Sequence, residues 1–211
     1  MRTTTTVLAL LSIFGLSMAA PTPIKLAPRS CTTLPPFLLQ QLTESSPYTS
    51  NPNTASTTNA FHVEQTVLNG QVTNRVYQIA AFTGIPSNAY GCQLNVAFPS
   101  IPNILTTTGN PQLNVTTLYK DSPSLITYPN NWDWNTFFPP TSPPSGQGLF
   151  GTITFAPGQS ATINSELCGQ NLAFLFEIAS WVSQSASVDF AEYYNKIIAA
   201  PITGVYLTHS C

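Results

Sequence analysis

Charge is what this sequence has least of. Its 211 residues include six Lys and Arg against eight Asp and Glu, so 7% are charged and the net charge is −2. Ordinary soluble proteins carry about 25% charged residues; here Ser, Thr, Asn and Gln keep the surface wet. Six basic side chains cannot follow a phosphate backbone, which excludes nucleic-acid binding as a function class. Histidine is nearly absent, with His62 and His209 alone. No Gly-x-Ser-x-Gly elbow, phosphate loop or dinucleotide fingerprint occurs, so no cofactor is predicted. Long hydrophobic runs are missing too. Residues 7–16 form a short apolar stretch, well under the roughly 20 residues that cross a bilayer. The end of the chain, 206–211, lacks the apolar tail of a lipid-anchor signal. No membrane contact is expected of the mature form.

That short stretch has a different meaning. Arg2 precedes it, and Ser17-Met18-Ala19 puts small residues where signal peptidase cuts. Residues 1–19 therefore read as a secretory leader. Export gives the four cysteines a role. Cys31, Cys92, Cys168 and Cys211 form an even, widely spaced set, unlike the close pairs of zinc or redox sites, and predict two disulfides. Three connectivities are open. Cys92 starts a strand-like run and Cys211 ends one, which favours Cys92–Cys211 with Cys31–Cys168.

Residues 20–59 read as an arm or pro-segment. The stretch 20–30 is Pro-rich, 31–42 is either a short helix or an apolar strap, and 43–59 holds nine Ser or Thr in seventeen residues, a composition that suits O-glycosylation. From residue 60 to 211 the period becomes two. Residues 61–68, Asn69-Gly70 and 71–79 predict a hairpin with a type I′ turn. A two-residue loop would place Val67 against Val72, Val63 against Val76, Glu64 against Arg75 and His62 against Tyr77. Further alternating runs fall at 94–98, 113–119, 153–155, 161–163, 172–178, 188–190 and 205–207. Short strands punctuated by Gly, Pro and Asn predict an all-β fold, an antiparallel sandwich of jelly-roll type.

Chemistry is hard to place on these residues. A nucleophilic triad needs Ser or Cys activated by His62 or His209 and oriented by Asp121, Asp133 or Asp189. A glycosidase needs two carboxylates astride one bond, and no spacing singles out two. No catalytic residue and no metal ligand is predicted. The segment 121–148 stands apart, with six Pro and the aromatics Tyr128, Trp132, Trp134, Phe137 and Phe138. In an extended Trp132-Asp133-Trp134 the indoles share a side. They then form either a platform that stacks on sugar rings, with Tyr128, or a plug for one end of the sandwich. Asn114-Val115-Thr116 is the lone Asn-x-Ser/Thr sequon. Asn114 falls opposite Leu113 and Val115 and is expected to face solvent and carry a glycan.

Several segments resemble the But-two C-terminal domain family of fungal proteins: Ile85-Pro86, Gly91-Cys92-Gln93-Leu94-Asn95-Val96-Ala97-Phe98-Pro99, Gly151-Thr152-Ile153-Thr154-Phe155-Ala156-Pro157-Gly158, Leu167-Cys168-Gly169, Val188-Asp189-Phe190-Ala191-Glu192 and Gly204-Val205-Tyr206-Leu207-Thr208-His209-Ser210-Cys211. The likeness spans roughly residues 61–211. It implies a β-sandwich on a secreted fungal protein with no catalytic residues to carry over. The founder's binding of a neddylation enzyme takes place inside the cell, which the leader contradicts. The expected function is a non-enzymatic module outside the cell or at its wall that binds polysaccharide or glycoprotein through Tyr128, Trp132 and Trp134. The alternative is a structural or protein-interaction component with buried aromatics, and a third reading is a hydrolase with two acids in one cleft.

Overall fold

The computed structural model describes residues 31–109, 111–118, 132–141, 148–194 and 201–211. Its elements are β1 (Thr32–Leu34), β2 (Leu38–Thr43), β3 (Ala60–Leu68), β4 (Gln71–Phe82), β5 (Cys92–Ala97), β6 (Leu105–Thr108), β7 (Gln112–Thr117), the single helical turn α1 (Trp134–Phe137), β8 (Gly148–Thr154), β9 (Ser160–Glu166), β10 (Leu172–Ile178), β11 (Ala186–Ala191) and β12 (Gly204–His209). The large sheet runs β6-β11-β3-β4-β10-β7-β8, with β2 paired to the second half of β4; the small sheet runs β1-β12-β5-β9. The strand ladders are antiparallel throughout. The fold is the β-sandwich that the alternation predicts. The turn at Pro157-Gly158 passes the chain from one sheet to the other, since β8 pairs with β7 and β9 with β5.

β10 shows how one sheet serves two cores. Phe174, Phe176 and Ile178 point between the sheets, where they meet Phe61, Val63, Leu94, Val96 and Leu207. Phe61 stacks on Phe190 at 4.4 Å and meets Phe176 edge-on at 5.2 Å. Ala173 and Leu175, the alternate residues, point outward into a second apolar cluster with Leu38, Leu42, Tyr77, Ile79 and Ala81. A strand apolar on both faces requires cover on both. Each buried Leu or Phe contributes about 1.5–3 kcal/mol, so the outer cluster is a substantial part of the fold.

Three expectations are corrected. First, the Asn69-Gly70 turn forms as predicted, with φ of 52° and 77°, and Val67 faces Val72. A bulge then shifts the ladder so that Glu64 faces Val76. The extra residue is on β4, where Asn74 (φ 49°) and Arg75 together stand opposite Gln65; the buried amide of Gln65 donates to the carbonyls of Val182 (2.7 Å) and Gln184 (3.0 Å). Arg75 is thereby freed from Glu64 and pairs with Glu44 at 2.6 Å, and His62 meets Asp189 instead of Tyr77. Second, 31–42 is neither helix nor strap, and Thr32–Thr43 is no arm. β1 adds to β12 and β2 adds to β4. Third, β1 decides the disulfides. The bridges are Cys31–Cys211 and Cys92–Cys168. β12 does neighbour the strand of Cys92, but β1 lies on its other side with Thr32 opposite His209, which brings Cys31 to Cys211. Cys92 lies opposite Glu166 on β9, two residues before Cys168. One strand that the alternation does not mark, Leu105–Thr108, pairs with β11.

Glu192 and Gly204 fix the crossing between β11 and β12. Gly204 has φ +103°, and a Cβ there would overlap Glu192 Oε2. The carboxylate accepts from the Val205 amide at 2.9 Å, so it cannot withdraw without leaving that N–H unpaired. Gly204→Ala is expected to cost about 1–3 kcal/mol by urea denaturation, from backbone conformation and steric overlap together. Burial pushes the Glu192 carboxyl well above its usual 4.5. The native state therefore holds this proton more tightly than the unfolded chain. The resulting stabilisation is complete below about pH 4.5 and is lost as pH rises through the folded value. Glu177 acts in the same direction and Glu44 in the opposite one. Glu192→Gln keeps the acceptor and is expected to flatten the loss toward high pH; an unaltered stability–pH curve would contradict this assignment.

Candidate functional site

The predicted aromatic site is on the outer face of the large sheet, turned inward. Asp133, in extended conformation, caps α1: its Oδ1 accepts from the Thr136 amide at 2.8 Å, and Thr136 Oγ1 accepts from the Asp133 amide at 3.1 Å. This capping box rolls the chain so that Trp134 and Phe138 lie over Tyr77. Ring centroids are 4.9 Å apart for Tyr77–Trp134 and 4.7 Å for Trp134–Phe138. Trp132 meets Phe137 edge-on at 5.5 Å, and its carbonyl accepts from the buried amide of Gln40 at 3.0 Å. The indoles do share a side, but it is the sheet's. Trp132 is 4% exposed and Trp134 6%. An open stacking platform from this pair is corrected accordingly: the outer faces of β2, β4 and β10 are apolar and the pair covers them. Tyr128 lies outside the described residues.

A polar row borders this pad. Arg75 lies over the Trp134 ring, with Cζ 5.1 Å from its centre, and grips Glu44 through two guanidinium bonds of 2.6 and 3.0 Å. Those bonds hold the Glu44 carboxyl below its usual range. Across the strands, burial raises Glu177, while bonds from Tyr77 and Asn114 pull it back. Burial likewise raises Tyr77. Asn114 is 7% exposed. It faces Glu177 on one side and Thr152 on the other, and its Oδ1 accepts from Thr152 Oγ1 at 3.3 Å. The solvent-facing position expected of it is corrected, because the outer face of β7 is covered as well; a glycan on Nδ2 would displace the Glu177 bond. Opposed shifts on two carboxylates suit acid–base chemistry. Each is taken up by a partner within the fold, however, and neither lines the cavities described next.

The open polar site lies elsewhere, on the outer face of β6, β11 and β3. The register sets Thr106, Asp189 and His62 in one row and Thr108, Ser187 and Glu64 in the next. His62 Nδ1 meets Asp189 Oδ1, and its Nε2 lies 3.2 Å from Glu64 Oε2. The side chains of Glu64 and Asp189 are 43% and 45% exposed. A His–Asp pair of the kind a triad would need is thus present, but the second ring nitrogen faces a carboxylate where a nucleophile's hydroxyl would be needed. His209 is buried at the end of β12, with Nδ1 3.0 Å from Ser210 Oγ. Among the described residues no group of three His, Cys, Asp or Glu is arranged to hold a metal ion, and no helix is long and apolar enough to cross a membrane.

A cavity of about 440 Å³ opens beside His62 and Asp189, with Asn103, Ile104, Thr106 and Ala191 in its wall. A second, of about 310 Å³, is walled by Pro99, Ile101, Tyr193 and Pro201 and shares Ile104 and Ala191 with the first. The two form one trough, charged at one end and apolar at the other. Sequence reasoning missed its apolar half. It also missed Trp181, the exposed indole at 57%, whose Nε1–H donates to Gln112 Oε1 at 2.5 Å.

The family model described as the Ubiquitin 3 binding protein But2 C-terminal domain matches residues 36–196. No curated protein matches the chain. The match begins ahead of β2 and takes in both halves of the trough except for Pro201 and Thr203, and since it covers more than half of the sequence, the chain belongs to the But2 C-terminal domain family.

Proposed function

We propose that this protein is an exported, non-catalytic contact module that binds a partner protein outside the cell, at or near a fungal wall. The observation that carries the reading is the burial of Trp132 and Trp134. Aromatics committed to the core leave sugar stacking without its residues, so of the two binding readings the protein-interaction one gains. Export is supported by the leader-like residues 1–19 and by two disulfides that use all four cysteines, bonds that persist in oxidising compartments. The partner in the family's name is that of the protein it is named after; a disulfide-stapled chain with a leader favours a different one.

The test is retention on intact walls. The chain, expressed with its own leader, is expected in the medium with residues 1–19 removed and no free thiol. It is expected to bind walls, and to lose that binding when the walls are first treated with protease but not when they are treated with glucanase or chitinase. Retention that survives proteolysis of the wall would overturn the protein-contact reading. An uncleaved chain with free thiols in the cytosol would overturn export.

A further inference from the structure

We infer that the trough on the outer face of β6, β11 and β3 is the docking site for an extended segment of a partner protein, apolar along most of its length and ending in Lys or Arg. The inference rests on the protein-contact reading above and adds a place and a chemistry to it.

Shape is the first argument. The cavities' wall runs from Asp189 to Tyr193, and Glu64 adds one row beyond it, opposite Ser187; the six residues from Ser187 to Tyr193 span about 20 Å at the rise of a strand, enough for some six residues of extended peptide. The apolar end offers Ile101 and Tyr193, 53% and 45% exposed, beside Pro99, Ile104 and Pro201. Exposed apolar groups gathered in a concave wall mark interaction sites far more often than scattered ones do. Charge is the second argument. Among the described residues Glu64 and Asp189 meet only the imidazole of His62. Among the described residues Arg75 is the one Lys or Arg, and Glu44 holds it on the other side of β4's hairpin partner. Two half-exposed carboxylates without a fixed cation favour one supplied from outside. Polarity along the trough then sets direction: apolar side chains against Tyr193 and Ile101, the cation against Asp189 and Glu64.

The probe is a capped hexapeptide, Pro-Leu-Pro-Ile-Lys-Arg, titrated into the intact, disulfide-bonded ¹⁵N-labelled chain. Amide shifts are expected at Thr106, Asp189, Ala191 and Tyr193. Asp189→Asn with Glu64→Gln should weaken binding about tenfold and remove most of its salt dependence, since exposed charges act within a Debye length. Ile101→Ser with Tyr193→Ser should weaken it similarly and leave the salt dependence intact. Trp181→Ala, outside the trough, should change neither. The same peptide ending in Glu-Glu should not bind. No shifts at millimolar peptide, shifts confined to other faces, or undiminished binding by the Asp189/Glu64 variant would overturn the inference. Wall retention separates the two levels: if the Asp189/Glu64 variant is retained as well as the parent chain on protease-sensitive sites, the contact reading stands and the trough falls.

Discussion

Trp134→Ala is expected to remove about 3–5 kcal/mol of stability, the usual cost of truncating a large core aromatic. The indole is 6% exposed and lies between Tyr77 and Phe138, with the Arg75 guanidinium above it. Truncation therefore opens a cavity and strips the cover from a guanidinium that Glu44 and Tyr77 then restrain. Trp132→Ala is expected in the same range, because the ring closes the pad against Phe137. The two losses share neighbours and will not add strictly. Native domains have only about 5–15 kcal/mol in hand, so the double variant should be largely unfolded at ambient temperature. Far-UV circular dichroism in urea measures this, with Trp181 left as a fluorescence reporter. Trp181→Ala should stay within about 0.5 kcal/mol of the parent, as surface substitutions do. A loss below 1 kcal/mol for Trp134→Ala would mean that the indole is not packed, and would reopen the sugar platform.

The same pad shows how much of the molecule could be read in the sequence. In β10, Phe174, Phe176 and Ile178 alternate with Ala173 and Leu175, and a strand apolar on both faces already signals cover on both. What the sequence does not reveal is that Trp132 and Trp134 provide it, since one capped turn at Asp133 decides which way the indoles face. The hairpin was legible because Asn69-Gly70 and the alternation are local. Its bulge was not, because the extra residue lies in β4, where Asn74 takes φ 49° and Arg75 turns to Glu44, 31 residues back. Thr32–Leu34 and Leu105–Thr108 are too short and too polar to show a period. Missing the first of them misassigned both disulfides. Missing the second hid the trough, whose walls come from residues 60–62, 99–106, 189–193 and 201–203 and meet only through long-range pairing. Glu64 and Arg75 were placed correctly on adjacent strands, yet the single-residue shift gave each a different partner.

Removing the disulfides one at a time is expected to separate two physical effects. Cys31 and Cys211 are 180 residues apart, Cys92 and Cys168 are 76 apart. Loop-closure entropy alone assigns them about 5 and about 4.5 kcal/mol, a difference of under 1 kcal/mol in favour of the longer loop. The native state ranks them the other way. Cys31 and Cys211 lie exposed, and β1, next to Cys31, pairs at only three positions, Thr32–Leu34 with Leu207–His209. When that bridge is cut β1 can fray while β2 stays held by six pairs to β4, so part of the entropic gain in the unfolded chain is matched by freedom in the folded one. Cys92 is fully buried in the core between the sheets. Cutting its bridge leaves a core position to be refilled and frees the segment after β9, so the entropic term is accompanied by lost packing of about 1 kcal/mol or more. Cys92→Ala with Cys168→Ala should therefore cost more than Cys31→Ala with Cys211→Ala, each within about 2–5 kcal/mol, by urea midpoints measured without reductant. The opposite order would show that unfolded-chain entropy outweighs burial here, and that β1 holds to β12 without its bridge.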